Sequence, residues 1–216
     1  YIIVKSNVMK TPFTIEQFFD VFENYNTSIF PLQLIILVVG IIAVFLIHGK
    51  KEIKNKYITG FLGFLWLWTG IVYHLSFFTS INKAAYGFGL LFMIQGLLFV
   101  IELFKKKMEF SFTGKTSEYI GYFFVVFGLI IYPVISYFLE GDLSTTISLG
   151  LPCPTTIVTF GVLMLTSRKF PKYLLIIPTL WAVIGTGAAI NFGVYQDYLM
   201  LVSAIVADVY LIRRKK

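Results

Sequence analysis

"NKAAYGFGLLFMIQGLLFVIELFKKK" (residues 82–107) is a long apolar segment that ends in three consecutive lysines. Its apolar residues are continuous rather than alternating, a pattern that favours a helix over a membrane strand. A helix of about 20 residues crosses about 30 Å of hydrocarbon, and it satisfies its backbone hydrogen bonds within one segment. The stretch therefore predicts a transmembrane helix over residues 83–104. Gly89 and Gly96 recur on one face of it, as in helices that pack closely in membranes.

The composition extends this prediction to the whole chain. The 216 residues are 57% hydrophobic and 18% aromatic, and only 13% are charged. Their mean hydropathy is +0.82. Soluble domains are about a quarter charged, and a small fold cannot hide this much apolar surface from water. The composition predicts an integral membrane protein whose main partner is the lipid bilayer.

We predict an all-α, polytopic membrane helix bundle with seven transmembrane helices. The domain boundaries follow: 1–29 is an extension with an interfacial helix, 30–212 is the bundle, and 213–216 is a basic cytoplasmic tail. The predicted spans, of which the fifth is the shortest, are 30–48, 57–79, 83–104, 118–139, 152–167, 173–191 and 195–212.

Basic residues predict the orientation of the bundle. Alternate loops and the C-terminal tail hold 15 of the 18 Lys and Arg residues. Because basic residues accumulate in cytoplasmic loops, the N-terminus is predicted to lie outside and the C-terminus inside the plasma (inner) membrane. The net charge of +7 is dispersed over these short segments. We therefore predict that this charge sets the topology and contacts anionic lipid headgroups, and we do not expect nucleic acid as a partner.

The N-terminal segment "TPFTIEQFFDVFENYN" (residues 11–26) is too polar and too short to span the membrane. Thr14 and Gln17 have the spacing of a capping box. Apolar residues from Ile15 to Tyr25 fall on one helical face, which predicts an amphipathic helix on the outer leaflet or across the end of the bundle. Residues 1–8 are interpreted as an extension, with Met9 as a candidate natural start.

A faint internal similarity suggests a duplication. Without gaps, "WLWTGIVYHLSFFTSIN" (residues 66–82) aligns Trp66 with Trp181 and Asn82 with Asp197 in "WAVIGTGAAINFGVYQD" (residues 181–197). A repeat of three helices on either side of a linking helix would resemble the parallel repeats of some solute transporters, whose sites lie near mid-membrane.

Two polar residues inside predicted spans are candidate ligand-binding residues. His74 and Gln95 are costly in a bundle unless they find partners. For His74 the alternatives are a hydrogen bond to a neighbouring helix, a ligand or proton site, and a metal site. For Gln95 they are a bond between helices and a contact to substrate.

Residues near the predicted outer face form a second group. Asn82 and Asp197 are interpreted either as helix caps or as a pair that receives a solute. Glu102 and Asp208 lie near the inner basic clusters, and we expect them to have a structural role, in which they either extend to the interface or pair with Lys105 and Arg213.

The segment "PCPTT" (residues 152–156) holds the single cysteine and opens the fifth predicted span. Proline is tolerated in the first turn of a helix, and Thr155 and Thr156 can satisfy neighbouring N–H groups. This helix start is a candidate anion site. Cys153 is interpreted as a small buried hydrophobe, with a soft-metal or redox role as the alternative.

Several enzyme classes do not fit the residues present. The chain has two histidines, and it contains no GxSxG, Walker or glycine-rich nucleotide motif. The last helix has no lysine at mid-span for a Schiff base. We therefore expect no enzymatic activity and no cofactor.

Four stretches together resemble a known family. They are "PFTIEQFFDVFENYNTSIFPLQ", "YHLSFFTSINKAAYGFGLLFMIQG", "PCPTTIVTFGVLML" and "IPTLWAVIGTGAAINFGVYQD". They are similar to an uncharacterised family of bacterial multi-pass inner-membrane proteins, a domain of unknown function, and some of its members are labelled transporter permease. The resemblance covers residues from Pro12 to about Leu201. It implies a membrane protein without implying a substrate, and the apparent family motif falls on His74, Asn82, Gln95, Cys153, Thr155, Trp181 and Asp197.

These observations favour binding, and transport across the inner membrane, of a small solute. The predicted lining is aromatic and suits an apolar or aromatic molecule. One alternative is a non-transporting subunit or sensor with a protein partner or a second copy of the chain. The other is a metal handler or intramembrane enzyme centred on Cys153 and His74. The candidate ligand-binding residues are His74, Asn82, Gln95, Thr155, Thr156, Trp66, Tyr132, Trp181 and Asp197, and the candidate metal ligand is Cys153.

Overall fold

A computed structural model describes residues 12–49, 52–167 and 171–214. The described residues form helices joined by short turns, without a strand, so the predicted all-α class is confirmed. Residues 1–8, the candidate start at Met9 and the last two residues of the basic tail lie outside this part. The helices are α1 (Ile15–Ile29), α2 (Leu32–Leu46), α3 (Ile53–Ser80), α4 (Ala85–Lys105), α5 (Thr116–Glu140), α6 (Pro152–Met164), α7 (Lys172–Phe192) and α8 (Tyr195–Arg213).

Five of these helices, α3, α4, α5, α7 and α8, are long and apolar enough to cross a membrane. A sixth span results if α1 and α2, which meet at an angle of 84°, are taken as one broken segment. The structure therefore has five or six such segments in its described part, where the sequence predicts seven. The difference comes from the predicted spans 30–48 and 152–167.

Helix α6 explains one part of this difference. It has 13 residues, or about 20 Å at 1.5 Å per residue, which is shorter than the hydrocarbon core. Twelve of its residues are buried, because α3, α5, α7 and α8 surround it. Its apolar sequence reflects burial in protein rather than contact with lipid, and hydropathy alone does not separate the two environments.

Glycines let helices pack at backbone distance in two places. A Cβ atom on Gly161 of α6 would lie 2.6 Å from the carbonyl oxygen of Gly121 in α5. Between α3 and α4, a Cβ on Gly96 would lie 3.0 Å from the Gly63 oxygen, and one on Gly89 would lie 3.1 Å from the Gly70 oxygen. The packing role predicted for Gly89 and Gly96 is confirmed.

Helix α1 lies across one end of the bundle. The predicted capping box is present: the Thr14 hydroxyl accepts the N–H of Gln17, and the Gln17 side chain accepts the N–H of Thr14. Farther along α1, the Tyr25 hydroxyl donates to the Gly150 oxygen at 3.3 Å and accepts the indole N–H of Trp68 at 2.8 Å. Of the two predicted positions, the structure places α1 against the bundle end.

Replacing Gly161 by alanine is expected to destabilise the protein by about 1–3 kcal/mol, because a methyl group there overpacks the α5–α6 contact. The measurement is thermal unfolding of the purified protein in detergent. Gly187→Ala in α7 is the matched control, since a Cβ atom there meets nothing within 4 Å. Equal unfolding temperatures for the two variants would contradict close α5–α6 packing.

Candidate functional site

A π-helical segment within α3 carries the centre of the candidate site. Residues Thr69–Phe77 have π-helical geometry, in which one turn holds an additional residue and side chains are re-aimed. Tyr73 and His74 lie on this segment and are both buried. The Thr69 hydroxyl anchors its start by donating to the carbonyl oxygens of Leu65 and Gly150.

His74 is enclosed by aromatic rings and has no hydrogen-bond partner. Its ring centroid lies 4.7 Å from that of Phe92 and 5.2 Å from that of Trp181, and the side chain is fully buried. Within the described part of the chain, neither ring nitrogen has a hydrogen-bond partner, and the indole Nε1 of Trp181 has none either. The hydrogen bond to a neighbouring helix that was one alternative for His74 is therefore not formed.

Asp197 and Tyr132 form the second half of the site. Asp197 stands directly before the α-helical part of α8, which begins at Tyr198, and it makes no side-chain capping bond, so it is not the cap that the sequence suggested. Its buried carboxylate instead accepts a hydrogen bond from the Tyr132 hydroxyl of α5. Tyr132 follows directly after a second π-helical segment, Phe127–Ile131.

Cys153 joins the two halves. Its thiol interacts with the Asp197 carboxylate and lies near the Trp181 indole. It is only partly buried, whereas the other residues of α6 are buried. We call this group the core polar cluster and define it as His74, Tyr132, Cys153, Trp181 and Asp197.

Three predicted candidates belong to a separate and fully paired network. The Trp66 indole donates to the Thr159 hydroxyl at 3.0 Å, and the Thr155 hydroxyl accepts the N–H of Gly150. The Thr156 hydroxyl donates to the Pro152 oxygen within its own helix. These bonds hold α3 and the loop before α6 in place.

The start of α6 offers few free donors to an anion. Pro152 and Pro154 have no N–H group, and Thr155 donates its own to the Leu151 oxygen. The contacts of this turn are therefore made within the chain.

The hydrogen bonds of Gln95 and Asn82 go to residues outside the core polar cluster. The Gln95 amide donates to the Leu174 oxygen at 3.0 Å, which ties α4 to α7, and its own oxygen has no partner. The Asn82 oxygen accepts the N–H of Ala84 in the turn before α4. The N-cap position of α4 is Ala84, which has no side-chain capping bond, so Asn82 closes the turn before the helix rather than capping it.

Glu102 and Asp208, which lie towards the lysine-rich end of the bundle, make one predicted contact and one different contact. Glu102 accepts from Lys105 at 3.0 Å, as predicted, and also from the Tyr173 hydroxyl. Asp208 accepts from the Thr179 hydroxyl at 2.8 Å instead of pairing with Arg213. Thr179 lies on α7, so this bond connects α7 and α8.

Two buried polar residues were not among the candidates predicted from the sequence, although they lie within a few positions of Trp181 and Asp197 along the chain. Gln196 is buried with neither side-chain atom paired, and the Thr186 hydroxyl is also buried and unpaired. Gln196 directly precedes Asp197, so a search for consecutive polar residues at this turn would have found it. For the metal hypothesis, the described ranges contain no group of three or more His, Cys, Asp or Glu residues arranged to hold an ion.

Comparison with known proteins identifies the family of the chain. A family model described as a family of unknown function, DUF6064, matches residues 15–216. No curated protein and no solved structure shows significant similarity to the chain. The match covers α1 through α8 and confirms the resemblance to an uncharacterised family. The chain belongs to the family of unknown function DUF6064.

Proposed function

We propose that the protein binds a small solute at the core polar cluster and carries it across the inner membrane. The observation that supports this most is the set of unpaired atoms on His74 and Trp181. A buried polar atom without a partner costs about 1–3 kcal/mol, so natural folds rarely keep several in one place. A bound molecule with polar atoms of its own would remove that cost.

The surrounding residues limit the chemistry of this solute. The Trp181 indole is a donor, and a neutral imidazole such as that of His74 offers one donor and one acceptor. The other neighbours of His74 are aromatic rings, among them Phe88 and Phe92. These features suit a mainly apolar or aromatic molecule with one or two polar atoms.

Entry is proposed from the outer face of the membrane. Cys153 is the partly exposed member of the cluster, and it lies at the bundle end where α6 and α8 begin. The lysine-rich segments lie at the other end of the bundle, away from Cys153. Because basic residues accumulate on the cytoplasmic side, we propose that the Cys153 end faces outside. Movement through the membrane would follow from motion between the long helices that carry the cluster, α3, α5, α7 and α8.

The alternative functions have less support in the contacts of the chain. A sensor or subunit would need an exposed surface for its partner, and the apolar residues Val21, Phe22 and Tyr25 of α1 are buried against the chain itself. A metal handler would need further ligands beside Cys153 and His74. Binding of a solute is therefore the leading proposal.

Replacing His74 by phenylalanine is expected to abolish ligand retention while unfolding stability stays equal or rises. Phenylalanine keeps an aromatic ring in the packed environment and removes both unpaired nitrogens. The measurement is native mass spectrometry of the gently purified protein, together with its thermal unfolding. Trp66→Phe is the control: it loses the bond to Thr159, so we expect lower stability with the ligand retained.

Two results would count against the proposal. One is wild-type protein that carries no small molecule after gentle extraction. The other is loss of the bound molecule in Trp66→Phe to the same extent as in His74→Phe, because the effect would then come from the fold rather than from the cluster.

Cys153 is expected to react with a membrane-impermeant maleimide in right-side-out vesicles and not in sealed inside-out vesicles. The chain has one cysteine, so the label reports this site alone. Two variants in a Cys153→Ser background calibrate the two sides: Ser80→Cys for the proposed outer end and Ser167→Cys for the inner end, both at exposed positions. If Cys153 were labelled from the same side of the membrane as the Ser167→Cys variant, entry from the outer face would be rejected.

A further inference from the structure

A groove on the side of the bundle is unrelated to the core polar cluster. It runs between α2 and the second half of α5 and encloses a cavity of about 930 Å³. This volume lies near the upper end of the ~300–1,000 Å³ that is typical of ligand sites. The long walls of the groove are apolar: Leu34, Leu37 and Ile41 from α2, and Leu129, Val134 and Phe138 from α5.

One end of the groove is polar and contains unpaired acceptors. Asn26 is only 3% exposed, and its amide nitrogen donates to the Ser144 oxygen at 2.7 Å and to the Thr146 oxygen at 2.9 Å. The Asn26 side-chain oxygen has no donor. Gln33 donates to the Asn26 main-chain oxygen at 3.1 Å, and its side-chain oxygen also has no donor.

A carboxylate completes this polar end. Asp142 lines the groove and accepts the N–H of Ser144 at 2.8 Å through one of its oxygens. Asn26 donates both of its amide N–H groups within the protein and Gln33 donates one of its two, so with Asp142 these side chains present mainly acceptor oxygens and a negative charge at this end of the groove.

We propose that the groove binds one membrane phospholipid with a primary ammonium headgroup, such as phosphatidylethanolamine. One of its two acyl chains lies along the apolar walls, and the ammonium donates to the oxygens of Asn26, Gln33 and Asp142. An ammonium supplies three donors and a positive charge, which matches this acceptor set. A trimethylammonium headgroup has no N–H donor, and a purely anionic headgroup is repelled by Asp142.

The position of the groove agrees with a lipid occupant. Leu34, Phe138 and Leu143 are more than half exposed on the side of the bundle, where the bilayer would lie. A lipid therefore enters sideways and keeps its headgroup at the level of the loop between α5 and α6. The groove shares no residue with the core polar cluster, so this proposal stands independently of the solute proposal.

The test is lipid retention by the full-length protein. The protein is reconstituted in nanodiscs with equal amounts of phosphatidylethanolamine, phosphatidylcholine and phosphatidylglycerol, released into detergent, and measured by native mass spectrometry. We expect one phosphatidylethanolamine per chain, retained about tenfold over phosphatidylcholine. Gln33→Leu removes an acceptor and should cut this preference several-fold, whereas Gln33→Glu should increase it.

Two neighbouring residues on α2 provide a matched pair. Leu34 is 51% exposed and lines this groove, and Ile35 is 53% exposed and lines a different cavity between α2 and α3. Leu34→Trp is expected to displace the lipid, and Ile35→Trp is expected to leave it bound. Because both positions are on the surface, neither variant is expected to prevent folding.

Three outcomes would overturn the proposal. They are equal retention of phosphatidylethanolamine and phosphatidylcholine, unchanged retention in Leu34→Trp, and equal losses in Leu34→Trp and Ile35→Trp. A second protein chain bound in the groove in place of a lipid would also overturn it.

Discussion

The close approach of α5 and α6 at Gly121 and Gly161 is the contact on which the rest of the structure depends. Because neither residue has a side chain, the backbone of α6 reaches the centre of the bundle and is enclosed on all sides by other helices. Dispersion contacts and small residues are the main source of helix association where lipid removes the hydrophobic drive between helices. The position of α6 in turn places Cys153 beside Asp197 and Trp181.

The core polar cluster differs from the hydrogen-bonded network beside it. In that network the Trp66 indole and the Thr155 and Thr159 hydroxyls all take part in hydrogen bonds. The candidate site leaves the nitrogens of His74 and Trp181 unpaired among aromatic rings. Such local departures from good pairing are expected where a protein keeps a function at the expense of stability.

Features set by neighbouring residues could be predicted from the sequence. The Thr14–Gln17 capping box, the packing role of Gly89 and Gly96, the helical class and the Glu102–Lys105 pair each depend on residues a few positions apart. Features that depend on residues far apart in the chain could not be predicted from the sequence. The direction of the Asp197 side chain is set by Tyr132, 65 positions away, and the central place of α6 is set by packing that hydropathy does not encode. The unpaired state of His74 follows from the arrangement of three helices, which no local pattern in the chain indicates.

The attachment of α1 has a consequence for the synthesis of the protein. Tyr25 and Asn26 hold the bundle end together through partners that are 118 to 125 positions later in the chain. At about 5–20 residues per second, a ribosome needs roughly 6–25 s to make that intervening length. During this interval the apolar face of α1 has none of those partners, and the headgroup region of the membrane is the nearest surface that can cover it. Helix α1 is made before α2–α8 and is thus among the last of the described helices to reach its final contacts, because the bundle end closes only after the loop between α5 and α6 has been made.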